Sequence, residues 1–140
     1  MGDNIFRNIN RELSEEDIVM LSPLQLAYVG DAAYELLVRT YLLKKETQVA
    51  GLHKTTISYV KAEAQAEIIH HLDEILNEKE RQMVKKGRNA KSNTVPKNAN
   101  LIDYKYATGL ETLFGYLYLT RQDDRMKELF ERAVAMESIR

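Results

Sequence analysis

The sequence predicts an all-α domain, and three observations predict it. No segment alternates apolar and polar residues with the period of two that a half-buried strand requires. Residues 54–72 and 123–139 repeat their apolar positions at helical spacing, with charged residues on the opposite face. Residues 24–43 and 104–119 are apolar nearly all round and carry no internal proline, the pattern of helices buried within a bundle.

Taken in order, residues 1–12 read as a loosely held, flexible arm. Residues 13–21 place Asp17 three after Ser14, a capping-box-like start to a short helix. Ser22 and Pro23 supply the cap and first-turn residue of the long helix 24–43. Gly51-Leu52-His53 reads as a break. Helix 54–72 follows, setting Ile57, Tyr59, Ala64, Ile68 and Leu72 against a polar face of Lys61, Glu63, Gln65 and Glu67. Residues 73–77 and 78–86 are two short helical pieces. After the helix 104–119, the pattern Met126, Leu129, Phe130, Ala133, Met136 marks a last amphipathic helix.

A chain of 140 residues suits a single domain, 1–140, with a substantial core. Its net charge is −1 and 29% of its residues are charged, so whole-chain charge does not select a partner. There is no cysteine, which excludes disulfides, zinc–thiolate sites and cysteine nucleophiles. No apolar run reaches membrane-spanning length, and the start MGDNIFRNINRE lacks a signal-peptide pattern, so a cytoplasmic protein without membrane partners is expected.

Two acids stand where acids are costly. At about 100° per residue, Leu24, Ala27, Tyr34, Val38 and Leu42 fall within roughly 60° of Asp31, so a carboxylate sits in the middle of an apolar face. Glu111 repeats the choice among Tyr104, Ala107, Phe114 and Tyr118. A buried carboxylate must be compensated or take up a proton. Gly30 beside Asp31, and Gly115 four after Glu111, would let the two helix backbones approach closely. Two readings stay open: each acid is a core residue satisfied by an arginine, tyrosine or backbone donor, or the two meet as a metal or acid/base site. Glu35, one turn after Asp31, is a further outer contributor or the partner of Arg39 four residues on.

Positive charge is segregated. From Arg81 to Ile102 there is no acid but six basic residues, Arg81, Lys85, Lys86, Arg88, Lys91 and Lys97, with four asparagines, Ser92 and Thr94. Such a stretch is a footprint for a polyanion or else a solvated surface loop. It leads into the Glu111 helix, which suits a phosphodiesterase: basic residues hold a strand and carboxylates hold a cation that activates water. The histidines offer no such chemistry. His70 and His71 point to different faces of one helix, and His53 sits in the break.

These residues carry a resemblance. YVGDAAYELLVRTYLL is similar to the ribonuclease III signature, with its Gly-Asp pair in a helix, and YATGLETLFGYLYL resembles that family's second acidic motif. More narrowly, KKGRNAKSNTVPKN followed by YKYATGLETLFGYL resembles the Mini-III ribonucleases, a bacterial branch made of the nuclease domain alone. The similarity runs over about residues 20–136, and no double-stranded-RNA-binding domain is expected.

The resemblance implies a homodimeric, magnesium-dependent endonuclease of double-stranded RNA, with manganese as a substitute ion. For the narrower branch it implies maturation of both ends of the large-subunit ribosomal RNA precursor. Asp31 and Glu111 match the family's signature aspartate and final glutamate, the expected catalytic and metal-binding residues. Lys85, Lys86, Arg88, Lys91 and Lys97 are the expected RNA contacts. Three family acids are replaced, by Leu24, Ala27 and Thr108. That departure keeps a second reading in view, a nuclease-like protein that binds ribosomal RNA as an assembly factor without cutting it.

Overall fold

The computed structural model describes residues 8–9, 13–45, 48–91, 97 and 100–136. Seven α-helices have their bounds among the described residues: α1 (Glu15–Met20), α2 (Pro23–Leu42), α3 (Val49–Val60), α4 (Ala62–Leu72), α5 (Glu78–Arg88), α6 (Leu101–Leu119) and α7 (Asp123–Val134). A 3-10 turn, Asp73–Ile75, joins α4 to α5. Among the described residues there is no strand, so the expected all-α architecture stands. The expected arm at residues 1–12 lies almost wholly outside the described residues, as do residues 137–139 at the end of the last predicted helix.

Helix starts follow their caps. Ser14 with Asp17, Ser22 with Gln25, and Asn77 with Glu80 each form a reciprocal capping box. Asn100 accepts from the backbone N–H groups of Ile102 and Asp103, so α6 begins three residues before the apolar run at Tyr104. α6 ends in a Schellman motif: the Gln122 N–H returns to the Leu117 carbonyl at 2.9 Å and the Arg121 N–H to Tyr118 at 3.1 Å. Arg121 accordingly takes a left-handed φ of 61°.

α6 is the axis of the molecule, with α2, α5 and α4 packed round it and α7 against its C-terminal end. From Ala107 to Leu117 every α6 residue is buried except Glu111. Burying Leu110, Leu113, Phe114 and Leu117 stabilises the fold by about 1.5–3 kcal/mol each. Tyr34 of α2 is fully buried and meets Phe114 edge-on, with ring centroids 5.5 Å apart, and Phe130 of α7 at 6.1 Å.

Three expectations about elements need correction. The break at residues 51–53 is absent, and α3 runs through Gly51 from an N-cap at Gln48. The real interruption is Lys61, extended at φ −65°, ψ 152°, which divides the single helix expected over 54–72. There the Gln65 amide donates to the Val60 carbonyl at 3.0 Å, satisfying an acceptor the kink exposes. Gln65 therefore points inward and is buried, not part of the polar face. The helical piece expected over residues 78–86 is present and runs on to Arg88, so the first part of the basic stretch is helix, started by the Asn77 capping box and with its cations suited to the negative C-terminal end.

Candidate active site

The site begins with the crossing of α2 and α6. A Cβ on Gly30 would overlap the Glu111 carbonyl and stand 2.6 Å from the Gly115 nitrogen. A Cβ on Gly115 would overlap the Leu26 carbonyl and stand 3.1 Å from the Gly30 nitrogen. Only glycine fits at either place, so the two backbones touch one residue from Asp31 and beside Glu111 itself. The close approach expected from the sequence is present.

That crossing brings the two acids together, the Glu111 carboxyl lying within hydrogen-bonding reach of Asp31. Burial first, and then the charge of Asp31, push the Glu111 carboxyl up to about 8. The Gln65 amide approaches Glu111 from α4 and works in the opposite direction. The Gln65 Oε1 atom is buried and accepts no hydrogen bond among the described residues. Tyr34, the nearby hydroxyl that could have served Glu111, donates instead to the Tyr59 carbonyl at 3.0 Å.

The expected burial of Asp31 is not found. Asp31 is exposed, although Ala27, Tyr34, Val38 and Leu42 on neighbouring positions of α2 are buried. The buried stripe of α2 is centred beyond Tyr34, and Asp31 stands at its border with an exposed sector that includes Leu24, Tyr28, Ala32 and Leu36. The pair is therefore a half-buried glutamate with a solvent-facing aspartate above it. Glu35 is engaged by Arg39 at 2.9 Å through Nε and 2.6 Å through Nη2, as the ion-pair reading expected. Thr108 donates to the Tyr104 carbonyl at 3.0 Å, and Ala27 offers no donor or acceptor beyond its backbone.

Glu80 shows what a satisfied buried acid looks like in this fold. Its carboxylate is held by Arg125 at 2.8 Å through both oxygens and also accepts from the Asn77 N–H. Burial alone would raise it, but the Arg125 and Asn77 hydrogen bonds outweigh burial and hold it below the ordinary carboxylate value. Neither Asp31 nor Glu111 forms an ion pair among the described residues. The core-acid reading thus describes Glu80, which the sequence did not single out, whereas Glu111 is approached by the Gln65 amide and has no arginine or lysine partner among the described residues.

Two carboxylates and an unpartnered amide oxygen are hard oxygen donors, and a cation between the acids would relieve their mutual repulsion. The donor set fits a divalent ion of the magnesium kind. No group of three or more His, Cys, Asp or Glu converges among the described residues, so water and substrate oxygens would supply most of the coordination. The described cations of the basic stretch divide. Lys85 and Lys86 are exposed and Arg88 half-buried on α5, Lys91 and Lys97 are exposed, and the loop residues 92–96 and 98–99 lie outside the described residues.

A family model for the ribonuclease III domain matches residues 24–122, which contain both acids and the basic stretch. The chain belongs to the ribonuclease III family. Within it, the chain is 46% identical to the Mini-ribonuclease 3 of Clostridium tetani over 90% of this chain and 85% of that protein. It is 47% identical to the Mini-ribonuclease 3 of a Thermoanaerobacter species, covering 87% of each, and 42% identical to that of Brevibacillus brevis over 91% of this chain and 96% of the other. A crystal structure of a Fusobacterium nucleatum protein superposes with a TM-score of 0.77 at 31% identity, covering 85% of this chain and 96% of that one. The ribonuclease III resemblance, its Mini-III branch included, therefore stands, and the chain is an endoribonuclease of that family.

Proposed function

We propose that this endoribonuclease cuts double-stranded RNA as a two-fold dimer, with a divalent metal held by Asp31 and Glu111, and that it matures both ends of the large-subunit ribosomal RNA precursor. One observation carries the catalytic reading: two carboxyl groups face each other at a helix crossing without a basic partner among the described residues, while the buried Glu80 is held by Arg125 through both oxygens. The precursor as substrate rests on the likeness of the KKGRNAKSNTVPKN stretch to the Mini-III branch, and a cytoplasmic setting follows from that substrate.

Each residue has a definable task. Asp31, facing solvent, is placed to meet an incoming phosphodiester, and Glu111 beneath it is held in position by the Gln65 amide. The bound ion, magnesium or manganese, would lower the pKa of the attacking water and offset charge on the phosphate. Lys86, Lys91 and Lys97 would hold the duplex backbone through phosphate and 2′-hydroxyl contacts, a readout of shape and not of sequence. Each site can cut one strand, which suits a dimer, and the exposed apolar sector of α2 supports one. A groove of about 460 Å³ bounded by Tyr28, Asp31, Ala32, Leu36 and Tyr118 runs along it. Tyr28 and Leu36 are 83% and 66% exposed, a large apolar surface for a monomer to leave in water.

The test is cleavage of duplex RNA with Mg²⁺ or EDTA by the wild type and by Asp31→Asn. The variant keeps the shape and loses one charge, so it should stop cutting while still retaining duplex RNA. Changing Lys86, Lys91 and Lys97 to alanine should lower the salt slope of log K by roughly one unit per residue. Cutting by Asp31→Asn at the wild-type rate would overturn the catalytic reading. Binding without cutting by the wild type would favour the assembly-factor reading, to which the loss of the family acids at Ala27 and Thr108 points.

A further inference from the structure

A second pocket, of about 380 Å³, opens between α4, α5 and the start of α6, and nothing in the acidic site uses it. Arg81, Lys85 and Arg88 fall at i, i+4 and i+7, so all three line one face of α5 and turn towards it. His70 of α4 and Tyr106 of α6 form the opposite wall, their ring centroids 4.3 Å apart. Tyr106 and Glu111 are five residues apart on α6, which is about 140° of turn and about 7.5 Å of rise. Gln65 and His70 stand in the same relation on α4. The pocket and the acidic pair therefore open on different faces, with α4 between them.

Its chemistry is that of a receptor for an amphipathic anion. Three cations face one carboxylate, Asp73, which is already tied to Arg81 at 3.6 Å, while the Arg81 Nη2 donates to the Asp73 carbonyl at 2.7 Å. Lys85 and Arg88 have no carboxylate partner among the described residues. The Arg88 guanidinium is fixed by Tyr106, lying 5.2 Å from the ring centre with a 3.3 Å hydrogen bond to the hydroxyl. A cation held by an aromatic ring is pre-organised and loses little freedom when an anion arrives. Between the cations and the rings the floor is apolar, made by Ile69 and Val84. Inorganic phosphate would use the rim and waste the floor and the rings.

We propose that this pocket binds a single nucleotide, its phosphate on Lys85 and Arg88 and its base and ribose over Ile69, Val84 and the His70–Tyr106 wall. The volume lies in the range of small-molecule sites and suits one mononucleotide. Stacking on aromatic rings tolerates any base, so the site selects a phosphorylated nucleotide and not a sequence. The same chemistry is presented by a free 5′-mononucleotide and by an unpaired nucleotide flanking an RNA duplex. The proposal does not depend on the catalytic role of Asp31 and Glu111.

The test titrates the ¹⁵N-labelled full chain in EDTA, where no cleavage occurs, with AMP, UMP, adenosine and inorganic phosphate. AMP and UMP should shift the resonances of His70, Lys85, Arg88 and Tyr106 and bind at least ~10-fold more tightly than adenosine or phosphate. His70→Ala and Arg81→Glu, both at exposed positions, should weaken AMP binding by a similar factor, and Asp31→Asn should leave it unchanged. Competition by an RNA hairpin with a single-stranded 3′ extension, but not by its blunt counterpart, identifies the source as an unpaired RNA nucleotide. Binding of AMP with no competition from either hairpin identifies a free nucleotide, and both results support the pocket. Unmoved pocket resonances at saturating AMP, equal affinity for AMP and inorganic phosphate, or full AMP affinity in Arg81→Glu would each overturn it.

Discussion

At the scale of single residues, the contrast between Glu111 and Glu80 has measurable consequences. The folded Glu111 carboxyl titrates near 8, against an ordinary value of 4.5. Below pH 4.5 the folded and unfolded chains both carry that proton, so the group contributes nothing to stability. Between 4.5 and 8 the folded state keeps a proton the unfolded state has released, and raising the pH destabilises the fold. Metal-free protein should therefore lose on the order of 2–4 kcal/mol across this window, and Glu111→Gln should abolish most of that dependence. Thermal melts in EDTA from pH 5 to 8.5 check this, and parallel profiles for wild type and variant would contradict it. Since the cation must displace the proton, stabilisation by Mg²⁺ should grow with pH over the same range. Gln65 has its own signature. Gln65→Leu keeps much of the volume but frees Glu111 and leaves the Val60 carbonyl unpaired, so Mg²⁺ should stabilise the variant less while duplex binding persists. Calorimetric titration of Mg²⁺ into both proteins measures that difference, and equal affinities would remove Gln65 from the site.

At the scale of elements, the α2–α6 crossing is the most demanding contact in the fold. A methyl group on Gly115 would collide with the Leu26 carbonyl, a backbone atom that cannot step aside as a side chain could. Gly115→Ala should cost roughly 3 kcal/mol or more and separate the two acids, so both urea stability and cleavage should fall. A variant with wild-type stability would mean the helices cross less closely. The Schellman turn after α6 predicts the reverse. Arg121 occupies a left-handed position that glycine adopts without strain, and Arg121→Gly should be neutral to stabilising, up to about 1 kcal/mol in urea denaturation.

At the scale of the whole molecule, α2 does two things at once. One side closes the core through Tyr34, Val38 and Leu42, and the other leaves Tyr28 and Leu36 in water beside Asp31. A two-fold partner on that sector would bury it and bring two acidic pairs onto a common surface. Tyr28→Asp with Leu36→Asp should shift sedimentation from dimer to monomer while the helical content of the chain is retained. A wild type that sediments as a monomer at micromolar concentration would refute the dimer.

The helices and the meeting of the two acids were legible in the chain because their causes are local. Capping pairs such as Ser22–Gln25 act over three residues, apolar periodicity acts within one helix, and Gly30 and Gly115 mark a close crossing wherever their helices meet. The rest was decided by which neighbours cover which sector. Periodicity gives the angle of Asp31 about its own axis, but only the packing of α6, α7 and α3 determines that Tyr34 is closed over while Asp31 is left open. Gln65 looked polar and outward until the kink at Lys61 turned it towards Glu111, a residue 46 positions away in the chain. Glu80 finds Arg125 across a similar separation, and His70 and Arg88 find Tyr106 across shorter ones. Such partners are chosen by the tertiary fold, since a side chain's charge and size are written in the sequence but its environment belongs to the assembled helices.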